Sequence, residues 1–105
     1  MITRILKFEK EEVTKINNLF KNSSISDYTN KGEGENIILK EYEIKENDTD
    51  IKVIFRVYVK DERVISSLEI SENGSSDFEE ISYIEEKSYD MKVNGNSIRI
   101  KFEIE

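Results

Sequence analysis

Carboxylates are the one chemistry-bearing group that this chain concentrates. Residues 69–90 hold eight acids (Glu69, Glu72, Asp77, Glu79, Glu80, Glu85, Glu86 and Asp90) against one base, Lys87. That window alone carries −7, while the rest of the chain, with 15 acids and 15 bases, is balanced. Carboxylates spaced along a rigid sheet can imitate a nucleic-acid backbone and engage Arg and Lys clusters shaped for phosphate. A solvated surface that keeps the protein soluble has the same composition. Asp77, Glu79, Glu80, Glu85, Glu86 and Asp90 are the candidate contacts to a basic protein partner. Direct binding to nucleic acid is not expected, because phosphate contacts need a basic patch.

Other chemistries find less support. The run Glu69-x-Ser71-x-Asn73-Gly74-Ser75-x-Asp77-x-x-Glu80 spaces oxygens much as a calcium loop does. It begins with Glu rather than Asp, has Ser76 at position eight and is led by a strand pattern, so chance spacing in an acidic chain explains it and no metal is expected. The 105 residues contain no His and no Cys, which removes the usual general base, thiolate nucleophiles and sulfur-ligated metals. Catalysis would depend on Asp, Glu, Lys or Tyr with shifted pKa values, and no spacing singles any of them out. Gly32-Glu33-Gly34 lacks the remaining elements of a phosphate-binding loop. Neither enzymatic activity nor a cofactor is expected. Lys52, Arg56 and Lys60 form a basic row that can hold an anion or pair across a sheet with Glu41, Glu43 or Glu69. Tyr28 is a candidate partner contact, whereas Tyr42, inside a strand pattern, reads as core.

The elements that must position these groups follow from periodicity. In residues 50–60, Ile51, Val53, Phe55, Val57 and Val59 occupy every second position, the mark of a strand with one buried face. Lys52, Arg56 and Lys60 take the other face, with Ile54 and Tyr58 between them. Residues 2–8 read as a short strand. Residues 9–21 switch to helical spacing, with Val13, Ile16, Leu19 and Phe20 on one stripe, acids in the first turn and Lys21 in the last. Residues 22–36 are rich in Ser, Asn and Gly and read as a long loop. Strands resume over 37–45 and 64–71, joined through turns at 46–49 and 61–63. Residues 77–86 fit either period: Phe78, Ile81 and Ile84 suit a helical turn, Ile81 and Tyr83 a strand. The geometry of that stretch decides whether the acidic window forms one surface. Residues 87–93 and 98–104 alternate around Asn94-Gly95, the preferred pair for a type I′ hairpin turn.

Short links imply antiparallel neighbours. The expectation is a single α+β domain over residues 1–105, with one N-terminal helix on a curved, mostly antiparallel sheet in the order β-α-β-β-β-(β)-β-β. No apolar run approaches the roughly 20 residues that span a bilayer. A soluble protein of the bacterial cytoplasm is expected.

The opening I-L-K-F-E-K-E-E-V-T-K-I-N-N-L-F and the late Tyr89-x-Met91-x-Val93-Asn94-Gly95-x-x-Ile98-x-Ile100 hairpin resemble small acidic proteins of phages and mobile elements in low-GC Gram-positive bacteria. Anti-CRISPR proteins come from that pool. The resemblance implies an inhibitor without catalytic residues that occupies a nucleic-acid-binding surface of its target, a CRISPR nuclease being the class indicated. The alternative is an interaction module or homodimer with no nucleic-acid link, joined through a sheet edge or the exposed helix face.

Overall fold

The computed structural model describes residues 1–21 and 34–105. Ile25, Tyr28, Gly32 and Glu33 therefore lie outside the described residues. The elements are β1 (Ile2–Phe8), α1 (Lys10–Lys21), β2 (Asn36–Glu46), β3 (Thr49–Lys60), β4 (Arg63–Glu72), β5 (Ser75–Ile81), β6 (Ser88–Val93) and β7 (Asn96–Ile104). The fold is α+β with mostly antiparallel strands, as the periodicities imply. The strands divide between two sheets rather than forming one curved sheet: a three-stranded sheet in the order β1-β7-β6 and a four-stranded meander β2-β3-β4-β5. The chain ends meet in the first of these, where β1 runs parallel to β7 in the register Ile2↔Ile98 through Phe8↔Ile104.

Alternation explains why the sheets face each other. Ile51, Val53, Phe55, Val57 and Val59 are buried, as are Leu68 and Ile70 on β4 and Ile98, Ile100 and Phe102 on β7. Three rings from distant parts of the chain bridge the layers. Phe8 and Phe102, from the three-stranded sheet, lie 5.2 and 5.8 Å from Phe55 of the other sheet, and 5.0 Å from each other. Each buried side chain of this size contributes about 1.5–3 kcal/mol.

All four hairpins turn on two residues with positive φ: Asn47-Asp48, Asp61-Glu62, Asn73-Gly74 and Asn94-Gly95. Positive φ at both positions matches the right-handed twist of the flanking strands. Asn, Asp and Gly accept that conformation readily, whereas Glu62, at φ 61°, does not.

Helix α1 buries Val13 and Ile16, and half-buries Leu19 and Phe20. It also supplies a polar clamp. Asn17 Nδ2 donates to the Ile84 carbonyl at 3.0 Å, and the Ile84 amide donates to Asn17 Oδ1 at 2.8 Å. One side-chain amide thus pairs with the backbone as a neighbouring strand would. Residues 77–86 resolve accordingly: β5 runs to Ile81, and an irregular arm then carries buried Ile84 under the helix. Buried Ser66 donates to the Ile81 carbonyl at 2.9 Å, the last residue of β5.

Candidate functional site

Strand geometry divides the acidic window. On β5, Asp77, Glu79 and Ile81 lie opposite Ile70, Leu68 and Ser66, so their side chains turn toward the seam between the two sheets. Phe78 and Glu80 turn to the outer face of the four-stranded sheet. Glu85 belongs to the arm beyond β5 and acts on the same spot as Glu79. Burial pushes the Tyr89 hydroxyl above its usual pKa, and the carboxylates of Glu85 and Glu79 push it further. Asp77 and Glu79 thus turn toward the β5/β6 seam, and Glu79 and Glu85 both lie within electrostatic reach of Tyr89.

The other candidates are elsewhere. Asp90 stands on the outer face of the three-stranded sheet, where Arg99 donates two bonds to it at 2.7 and 3.2 Å. That hydrogen bonding, with the Arg99 charge, holds the Asp90 carboxyl below its ordinary value. Glu86 accepts from the Ile104 amide at 3.2 Å and so fastens the end of β7. Asp77 also has a structural task, since its carboxylate accepts from the Lys92 amide at 3.1 Å and the Phe78 amide at 3.0 Å. The six acids therefore form no single patch. Adjacent acids on a strand take opposite faces, a rule that period-two reading could have applied to Glu79 and Glu80.

The calcium-like spacing folds as a hairpin. Asn73-Gly74 makes the turn, and Ser71↔Ser76 and Glu72↔Ser75 are zipped on either side. Strand pairing prevents this segment from wrapping an ion. Glu72 instead accepts bonds from the Asp50 amide and the Asn94 side chain, tying the tips of three hairpins together. The basic row pairs only in part as expected. Lys52 reaches Glu41 at 3.6 Å, while Arg56 bonds Asn36 Oδ1 and the Gly34 carbonyl and stacks 3.9 Å over the Tyr58 ring. Tyr42 is half-buried on the inward side of β2, and burial raises its pKa against the opposing charge of Arg4.

A surface not foreseen from the sequence lies outside β2–β5. Leu39 is 48% exposed and Phe78 65% exposed, and Ile54, Tyr58 and Ile65 are only half-covered. Between Phe78 and the Tyr58–Ile65 pair is a hollow of about 400 Å³, where Ser67 supplies a small side chain. The strand acids on this face are Glu41, Glu43, Asp50, Glu69 and Glu80. Its strand bases are Lys45, Lys52, Arg56, Lys60 and Arg63, so the strand charges of this face balance in a chain of net charge −7.

No helix among the described residues is long and apolar enough to cross a membrane. No family model, curated protein or solved structure matches this chain.

Proposed function

We propose that the protein acts by binding rather than by chemistry, as a phage-type inhibitor of a nucleic-acid-handling bacterial enzyme. A CRISPR nuclease is the target class to which the sequence resemblance points. Glu79 and Glu85 would face the enzyme's basic groove and compete there with phosphate, while Asp77, bonded to the Phe78 and Lys92 amides, fixes β5 beside β6. The observation that carries this reading is that Glu79 and Glu85 both act on the Tyr89 hydroxyl, so two carboxylates of the acidic window lie within electrostatic reach of one group. Paired charges on a fixed scaffold cost less to order at an interface than charges on mobile chain.

The test is a DNA-cleavage assay with a panel of guide-loaded CRISPR nucleases. Near-stoichiometric loss of cleavage is expected when the protein is added before DNA, and less when it is added after. Glu79→Lys with Glu85→Lys should weaken inhibition by about tenfold or more, as like charge at an interface is costly. Asp90→Asn, on a different face, should leave inhibition intact. Raising salt should weaken the wild-type effect, since exposed pairs are screened over about 10 Å at 0.1 M. A double Lys variant that inhibits as well as the parent would eliminate the acidic seam as the contact.

A further inference from the structure

We infer that the outer face of the four-stranded sheet is a self-association surface, and that its occupant is a second copy of this chain. The inference is independent of the inhibitor reading, because it concerns a different face of the molecule.

Three features of the face select a copy over another partner. The first is charge. Two chains of −7 repel, yet the described strands of this face carry five acids and five bases, so two such sets can meet without net repulsion. The signs also sort in part by strand: on this face β3 presents Lys52, Arg56 and Lys60 with Asp50 at its start, and the adjoining strands present Glu41, Glu43 and Glu69 with Lys45 and Arg63 toward their ends. An offset copy therefore sets basic rows over acidic ones, as electrostatic complementarity requires. The second is shape. Phe78 stands proud at 65% exposure on the rim of a hollow of about 400 Å³ lined by Tyr58 and Ile65 together with the charged side chains Arg56, Lys60, Glu69 and Glu80. A two-fold axis between knob and hollow places each Phe78 in the hollow of the other copy, the self-complementarity of an isologous interface. The third is the state of the edges. Antiparallel self-pairing of β5 about Phe78 would set Asp77 against Glu79, a like-charge pair that opposes it. The β2 edge is fastened to the neighbouring sheet and helix by Arg4–Glu46 at 2.8 Å and Lys40–Glu12 at 2.9 Å. Of the four-stranded sheet, the face rather than either edge is left for a copy to cover.

Size sets the strength. Four strands about 4.8 Å apart, rising about 3.3 Å per residue, outline a face below the roughly 800 Å² per partner of a standard stable interface. The dimer is accordingly weak, with a dissociation constant in the micromolar range or above.

Sedimentation equilibrium on the full chain tests this, from about 10 to about 500 µM protein. The weight-average mass should climb from 12.4 kDa toward twice that value. Ile54→Lys and, separately, Phe78→Lys should each weaken the dimer by about tenfold or more, as loss of a central contact does. Circular dichroism on both variants checks that the sheet is intact. A mass fixed at 12.4 kDa throughout the series overturns the proposal. So does a dimer that both folded Lys variants form undiminished, since its interface must then lie elsewhere.

Discussion

The two sheets share one core and turn very different faces to the outside. On the three-stranded sheet the outward strand positions are Thr3, Ile5 and Lys7, then Arg99, Lys101 and Glu103, then Ser88, Asp90 and Lys92. Ile5 is its one exposed large apolar strand side chain, and most of its charges are tied in pairs: Arg99–Asp90, Lys101–Glu103 and Lys7–Glu105. That is the pattern of a surface satisfied by water. The four-stranded sheet instead carries Leu39, Ile54, Tyr58, Ile65 and Phe78 outward, on strands made of equally regular alternation. Apolar groups clustered beyond a sheet's buried side add nothing to the core. Their clustering on one of two otherwise equivalent faces marks where another surface belongs.

The largest expected effect tests whether the two faces really share a core. Phe55→Ala removes the ring that touches both Phe8 and Phe102, and should cost about 3–5 kcal/mol in urea unfolding. Both sheets should be lost in one transition. A loss confined to the four-stranded sheet, or one under about 1 kcal/mol, would mean that the sheets are independent. A smaller effect concerns the scaffold of the apolar face. Glu62→Gly relieves a left-handed φ at the β3–β4 turn and should stabilise the protein by about 0.5–1 kcal/mol. Thermal unfolding measures this, and a lower midpoint would show that the Glu62 side chain contributes more than its backbone costs.

The smallest effect belongs to the charged face. Asp90→Asn should leave the unfolding midpoint near pH 7 almost unchanged, because the Asp90–Arg99 pair is exposed and screened. The Asp90 pKa is lowered on folding, so its contribution is present above the unfolded carboxylate pKa and fades as pH falls through the folded value. Carboxyl NMR titration should show Asp90 below the ordinary range, and returning to it in Arg99→Ala. An Asp90 midpoint unmoved by that substitution would contradict the pairing.

Much of the fold was legible where one period dominates. The alternation of 51–59 marked the central strand, the stripe Val13, Ile16, Leu19 and Phe20 marked the helix, and Asn94-Gly95 marked its turn. Alternation says which side chains turn inward but not which strands become neighbours. The parallel pairing of β1 with β7 thus had no signal within either segment, and a single sheet was the simpler expectation. Residues 77–86 were ambiguous because Phe78, Ile81 and Ile84 have helical spacing although each is placed differently: outward on β5, inward at its end, and beneath α1. The Asn17–Ile84 clamp was invisible, since a helical Asn followed by nothing distinctive carries no mark of a distant backbone partner. The outer face was half-legible. Ile54 and Tyr58 already stood on the polar side of β3, but recognising a surface needed the register that brings Ile65 opposite Tyr58 and Phe78 into the row of Ile54.

The contrast between the two faces is tested most directly by amide NMR spectra followed through a protein dilution series. The account predicts concentration-dependent shifts at Ile54, Tyr58, Ile65, Ser67 and Phe78, with Thr3, Arg99 and Lys101 on the opposite sheet unmoved. Shifts centred on Arg99 and Lys101, or spectra that do not change with concentration on either face, would contradict it.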